Sequence, residues 1–446
     1  FEDAIKGQGG INENEQWNIF LPLENSESLI NYIKGSESSI RIGSLISLDG
    51  VFTGNRNNFD FALGFQFNAE DLDINYSEES RAAFDKDGKL TKSADLLFLG
   101  GGKNVNTKRK KQAVFFEVKN NFNEDLDIIL SGRYEKLEKN SSFDPKFSFK
   151  YLATNNFFVR GSIGTSFTAP SMAQMFSSDI RLGSVRDIND SPFVRLALLG
   201  NPGLKPASSE NQSFGFVWNF SSSVDLTLDY WAIDYKDRIQ VQSPQVLLSN
   251  NPFAPSITRN QFGELIAVST SYFNEEKTNV SGIDVELNFF RATKFGNLDY
   301  SIKATQLSKF LTPEFINEEN SEIDSTMINR VGKFNYDANT HSLPKLRLNT
   351  FLNFEFNKIF FGINSRYIQG FSNEREIPTS AVELGYSNEI KSFLVHDFSI
   401  TKIFQSSRGE IQIGLGLLMH LISKHLCFMT HQTLVLIPEH MSQEGD

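Results

Sequence analysis

The side chains able to do chemistry are few, and most stand in unpromising company. Six His and one Cys are the only imidazole or thiol ligands in 446 residues. Four of those His (His420, His425, His431, His440) crowd into residues 418–446 with Cys427, Met419, Met429 and Met441. Imidazole and thiolate bind transition metals, but this spacing fits no tetrahedral zinc pattern, and one thiol replaces the several such sites use. No metal site is expected. The other two, His341 and His396, lie in no Ser- or Asp-based motif, so no nucleophile–base pair is expected either. Gly100-Gly-Gly102 before Lys103 has the composition of a phosphate loop without its strand–loop–helix setting, and reads as a turn. Lys108-Arg-Lys-Lys111 places four cations in a row that would suit an anionic head group or ligand. Runs of this kind are more often solvated segment ends, and that reading is adopted. The expectation is a protein that is not an enzyme and carries no cofactor.

Composition narrows the class. Lys+Arg 43 against Asp+Glu 54 gives a net charge of −11, which argues against a nucleic-acid partner. One Cys excludes an internal disulfide framework. Phe alone supplies 42 residues of the 13% that are aromatic, yet the chain is hydrophilic on average. No stretch approaches the ~18 apolar residues of a membrane-spanning helix. The chain opens Phe1-Glu2-Asp3 without Met, which points to a fragment or a processed product.

Alternation accounts for the Phe. Successive side chains of a strand point to opposite faces. Phe59, Phe61, Leu63, Phe65 and Phe67 share one face against Asp60, Ala62, Gly64 and Gln66 on the other. Val224, Leu226, Leu228 and Tyr230 stand against Asp225, Thr227, Asp229 and Trp231. Ile283, Val285, Leu287 and Phe289 stand against Asp284, Glu286 and Asn288, and a similar pattern runs through 346–356 with Thr350 and Phe351 out of phase. About fourteen strands are expected, near 38–50, 58–70, 111–120, 126–136, 143–151, 157–167, 209–220, 224–241, 266–290, 297–308, 343–356, 360–372, 392–404 and 409–418. Gly282 marks a bulge or a break in the longest.

Every second connection between these strands is short. The five long ones (71–110, 168–208, 242–265, 309–342 and 373–391) all fall in the alternate set, where 137–142 is the only short member. In an antiparallel meander, alternate connections share an end, so one end is smooth and the other ragged. A soluble sandwich has no reason to sort its loops this way. A transmembrane β-barrel does, with tight periplasmic turns, long outer loops and an apolar face toward lipid. Its polar face lines a lumen, where Asp225, Asp229, Asp284, Glu286 and Glu355 would keep the surface wet or pair with Arg160, Arg347 and Arg366. Trp231 is on that polar side, the wrong side for a lipid girdle, and is the first candidate for a lumen contact. Met172, Met175, Phe176, Arg181 and Arg186, in loop 168–208, are candidate ligand contacts, although packing inside an ordered loop is the commoner fate of such Met and Phe.

Four motifs in order carry a family resemblance. Gly161-Ser-Ile-Gly-Thr-Ser-Phe-Thr-Ala-Pro-Ser171, Asn201-Pro-Gly-Leu-Lys-Pro206 with Ser209-Glu-Asn211, Leu226-Thr-Leu-Asp-Tyr-Trp-Ala-Ile-Asp-Tyr-Lys-Asp-Arg-Ile239, and Asn279-Val-Ser-Gly-Ile-Asp-Val-Glu-Leu287 resemble the barrel signatures of TonB-dependent outer-membrane receptors. Ala207 stands where that family usually has Glu. The resemblance implies an all-β, antiparallel 22-stranded transmembrane barrel in the cell outer membrane of a Gram-negative bacterium, of which fourteen strands are present here, starting near the seventh or eighth. It implies a plug domain and a TonB box upstream, through which the TonB energy-coupling complex would be engaged. It also implies three partner classes: outer-membrane lipid, that complex, and a scarce small-molecule nutrient such as a ferric siderophore, cobalamin or oligosaccharide. A passive porin-like channel is the alternative.

Residues 1–417 are assigned to the partial barrel and 418–446 to a tail outside it. Reading the tail in the shifted frame, Met419–His420 can encode only Ala and Met429–Thr430 only Asp. The remaining codons permit a peptide resembling the closing segment of the same family. A one-base shift near codon 417 is therefore expected to have replaced the last strand. Nucleotides incompatible with that peptide would refute this.

Overall fold

The computed structural model describes residues 2–94, 101–138, 140–188, 190–313, 327–335, 342–373, 379–385, 387–406, 409–422 and 425–438, with side chains described as far as residue 417. Gly100, His341 and the side chains of the His- and Cys-bearing tail lie outside these residues.

All fourteen expected strands are present, and a fifteenth follows. They are β1 (Ser39–Arg56), β2 (Phe59–Tyr76), β3 (Val105–Asn123), β4 (Leu126–Leu137), β5 (Asn140–Thr154), β6 (Phe157–Thr168), β7 (Ala207–Ser221), β8 (Val224–Val241), β9 (Leu265–Thr293), β10 (Gly296–Pro313), β11 (Leu346–Phe356), β12 (Ile359–Ile368), β13 (Phe393–Ser406), β14 (Gly409–Ile422) and β15 (His425–Pro438). Each pairs antiparallel with the next, from β1–β2 to β14–β15. Among the described residues β1 pairs only with β2 and β15 only with β14, so the sheet is open. Backbone strand thus continues past residue 417 into the segment that composition sets apart.

The smooth end is tighter than the sequence suggests. Six turns there (57–58, 124–125, 155–156, 222–223, 294–295 and 357–358) each contain two residues among the described residues. Asn57, Asn357 and Lys358 have φ of 57°, 48° and 60°, the left-handed backbone that two-residue hairpins need to match strand twist. At the other end the strands are joined through 77–104, 169–206, 242–264, 314–345 and 369–392, and only β4–β5 and β14–β15 follow one another closely.

β1 continues to Arg56 where alternation had suggested an end near residue 50. Gly50 and Gly54 break the sequence pattern, but each lies opposite a Phe, Phe65 and Phe61, whose ring covers the space a Cβ would take. Phe116 covers Gly132 and Phe149 covers Gly161 in the same way. Toward the ragged end β2 runs to Tyr76 and β3 begins at Val105. Lys108-Arg-Lys-Lys111 is therefore strand, not the loop end expected: Lys108 faces Asp71 at 3.2 Å, and Lys111 reaches Glu70 at 2.6 Å. Alternation fades there because a strand that has left the apolar layer has no reason to present an apolar face. Gly282 marks a bulge: β9 stays continuous while the register with β10 slips between Ser281 and Gly282.

Exposed aromatics concentrate beside the two-residue turns: Phe59, Phe122, Phe220, Phe295 and Phe356 all lie within a few residues of one. Trp218 stacks on Phe220 with ring centroids 4.1 Å apart and meets Phe157 edge-on at 6.0 Å. A band of exposed aromatics at this level is what a girdle at a membrane interface requires.

Candidate functional site

Three of the four sequence motifs meet at the ragged end, and the fourth runs along the wall beside the third. After Thr168 the chain leaves the wall through Pro170, which is fully buried and whose carbonyl accepts from the Arg109 guanidinium. Arg109 Nε also donates to Glu70 at 3.0 Å, so the loop exit is tied to β2 and β3. Ser171 caps the helix Met172–Phe176: its Oγ accepts from the Gln174 amide at 3.1 Å, and the Gln174 side chain accepts from the Ser171 amide at 2.8 Å. Met172 is buried, Met175 and Phe176 are half-buried, and Phe176 packs on Ile74, Tyr76 and Val105.

The second motif closes what the first opens. Gly200 donates to the Ser177 carbonyl at 2.7 Å and Asn201 to that of Gln174 at 2.9 Å. A side chain on Gly200 would run into the backbone of Met175 and Phe176, so only glycine permits this approach. The Asn201 side chain accepts from the Gly203 amide at 2.8 Å and donates to the Tyr272 carbonyl at 2.9 Å. Asn274 then accepts from the Lys205 amide at 2.8 Å and donates to the carbonyls of Lys205 at 2.9 Å and Asp237 at 2.8 Å. Asp237, with φ 54°, interrupts the pairing of the third motif with β9 without shifting its register, and Arg238 beside it pairs with the buried Glu275 at 2.6 Å. Loop entry and loop return form one clasp.

Above the clasp, three loops fold together. Ser178–Ser184 pairs antiparallel with Phe193–Leu199, which runs parallel to the first turns of β9, and Ile257–Arg259 pairs with β9 from the other side. The helix Pro244–Asn250 covers this small sheet with Leu248, which packs with Val185, Val194, Leu196, Ile257 and Val268. Residues of loop 77–104 add Ala82 and Leu90 against Ile180, Ala197 and Ala267. Arg259 locks loop 169–206 to loop 242–264. It grips Asp187 through both terminal nitrogens at 2.7 Å and donates to the carbonyls of Pro252 and Gly263. Those hydrogen bonds hold the Asp187 carboxyl below the usual carboxylate range, against the opposing pull of burial. Burial alone pushes the Lys103 ammonium down from its ordinary value. Nothing in the sequence flags the Asp187–Arg259 pair, whose members stand 72 residues apart in loops. Arg181 and Arg186 are exposed on this cap.

The polar face of the wall carries a ladder of cross-strand pairs. Arg160 meets Asp229 at 3.0 Å, Lys303 meets Glu286 at 3.0 Å, and Arg366 meets Asp397 at 3.3 Å. Asp225 accepts from Asn288, Asp284 from Thr305 and Glu355 from Asn297. Arg347 makes no ion pair among the described residues and borders a cavity of about 350 Å³ with Arg160, Asp229 and Glu286. Trp231 lies on this face, half-buried, its indole over Gly282 of the fourth motif, where a Cβ would come within 2.6 Å of the ring. The candidates thus divide: Trp231 is on the wall, whereas Met172, Met175, Phe176, Arg181 and Arg186 belong to the cap.

On the opposite, apolar face, Ser365 Oγ lies 2.7 Å from His396 Nδ1. Sequence spacing gave no sign of it, because cross-strand register alone brings the two together.

Pattern, fold and motif placement agree with membership of one family. The chain belongs to the TonB-dependent receptors: the family model described as TonB dependent receptor-like, beta-barrel, matches residues 8–411. The fold is that of the siderophore receptor PirA from Acinetobacter baumannii (TM-score 0.57, 14% identity, covering 92% of this chain and 53% of that one). It is also that of a mutant ferric enterobactin receptor, PfeA, from Pseudomonas aeruginosa in complex with enterobactin (0.57, 14%, 85% and 49%). The outer membrane transporter YddB from Escherichia coli is a further likeness (0.52, 11%, 90% and 54%). The chain spans about half the length of these structures. No curated protein matches it.

Proposed function

We propose that the chain forms the greater part of the barrel and the outer loops of an outer-membrane receptor that imports a scarce nutrient by TonB-coupled transport. The observation that carries this is the clasp. Three family motifs spread over residues 161–239 converge to hold a folded cap at one end of a wall whose other end has six two-residue turns among the described residues. A cap of that kind suits ligand capture, and a wall with an apolar outer face suits lipid. The polar ladder suits a wet lumen in which a plug would seat. A passive porin is not favoured by family membership, since a porin needs neither plug nor coupling.

No catalysis is proposed. The Ser365–His396 pair joins through Nδ1, no carboxylate or amide orients the ring among the described residues, and it faces the lipid side. Uptake assays on a Gram-negative host expressing the full-length gene test the reading, with ferric siderophores, cobalamin and oligosaccharides as probes. Uptake that stops when the inner-membrane coupling complex is inactivated is expected. Uptake that continues unchanged would mean a passive channel.

A further inference from the structure

A cavity of about 280 Å³ lies between the three cap loops and takes no part in the clasp. Its floor is the start of β9, where Ser269 is 2% exposed and its Oγ has no hydrogen-bond partner among the described residues. Buried hydroxyls are nearly always paired, so this one marks a place where a partner is owed. The backbone does not explain it, because the Ser269 amide is already satisfied by the Ser256 carbonyl at 3.1 Å. The neighbouring Thr270 hydroxyl is also spent, donating to the Ala197 carbonyl at 3.3 Å. Gly88, with φ 81°, passes over this floor, and a Cβ there would take up space next to Leu199, Ser256 and Ser269.

The lining selects the ligand chemistry. Ser256 and Ser271 add hydroxyls, while Gln242 and Asn251 add amides. Asp87 is the one charged residue on the lining, and no Lys or Arg borders it among the described residues. An anionic metal chelate would meet a carboxylate and no cation, so the cavity is built against it. Leu199 and Leu247 supply an apolar side, on which the C–H face of a sugar ring can rest. The volume corresponds to about nine waters at liquid density, below the range of sites that enclose drug-sized ligands. We infer that the cap cavity binds one uncharged polyhydroxylated ring, the size of a single sugar residue, with a ring hydroxyl pairing to Ser269 Oγ. The inference rests on the receptor reading for its outward orientation and adds a substrate class to it.

Calorimetric titration of the full-length gene product in detergent micelles tests this with glucose, galactose, mannose and their dimers, and a ferric catecholate chelate as counter-probe. Protease resistance of the cap serves as the folding control. At least one sugar should bind at millimolar concentration. Ser269→Ala should weaken it by about five- to tenfold, the loss of one hydrogen bond, without lowering cap resistance, since the variant removes an unpaired buried hydroxyl. Ser256→Leu should block binding by filling the cavity. A dimer that binds as well as its monomer identifies a glycan end as the source, and an excluded dimer identifies free sugar. Sugar binding that neither variant changes, no sugar binding by protein with a resistant cap, or chelate binding displaced by sugar would each overturn the inference. Failure of the receptor reading shows separately, as uptake independent of energy coupling.

Discussion

The wall and the cap are held together by opposite means. Among the described residues, two of the three buried apolar clusters lie in the cap, and the third, around Ile74, Tyr76 and Val105, sits where wall and cap meet. The described part of the wall has none of its own: Leu63, Phe65, Phe214, Ile413 and Leu415 are all 47% or more exposed. A water-soluble fold with that distribution would be inside out. The wall is held by strand pairing and by the medium on its apolar side, whereas the cap is a small conventional core held by burial and one locked ion pair. The two should therefore respond differently to the same insult.

The largest effect should come from unlocking the cap. Arg259→Ala leaves the Asp187 carboxylate, whose side chain is 9% exposed, without its partner. Breaking a buried pair from one side costs about 3–5 kcal/mol. Limited proteolysis should then cut within 169–206 and 242–264, while the wall keeps its migration as a folded barrel on unheated gels.

The converse comes next. Phe65→Arg puts a charge on the apolar face of β2, which should cost about 2–4 kcal/mol if it falls near mid-bilayer. Gln66→Arg, one residue away on the polar face, should cost far less. Urea titration of protein refolded into vesicles measures both, and equal costs would mean the two faces share one environment.

A smaller loss is expected at the clasp. Ser171→Ala removes the cap of the helix Met172–Phe176 and should cost about 1 kcal/mol, read as faster amide exchange over 172–177 with no change in β6.

The smallest is a pH effect confined to the cap. The Asp187 carboxyl titrates below its ordinary value of 3.8 in the folded protein. Its contribution is therefore fully present above that value and is lost as pH falls through the lower folded value. Protease resistance of the cap should be flat from neutral pH down to about 4, then decline.

The wall was legible in the sequence because a strand between lipid and water must alternate, and that leaves a period of two. All fourteen strands were placed on that signal, and the sorting of loop lengths gave the two ends. What it missed lies where the constraint lapses. Strands outlast their alternation beyond residue 70 of β2 and before residue 111 of β3, and Gly50 and Gly54 hide part of β1 because their partner Phe residues do the packing. The cap was not legible. Its strands are seven residues or shorter, and Phe193–Leu199, buried from both sides, has no alternation to read. Its ion pair joins loops far apart in sequence. Within the motifs, Pro170, Ser171, Asn201 and Gly282 each have a definite mechanical task, as does Gly200 just before the second, while Met172 is buried and Phe176 packs at the junction of wall and cap.

Solvent access along β2 tests the central claim most directly. Single Cys replacements at residues 59–67, in a Cys427→Ser background reconstituted into bilayers, can be labelled with a fluorophore and quenched from either side. Positions 61, 63 and 65 should be quenched by a lipid-borne quencher and spared by a water-soluble one, with 60, 62, 64 and 66 showing the reverse. Both sets responding alike to the aqueous quencher would contradict a lipid-facing wall.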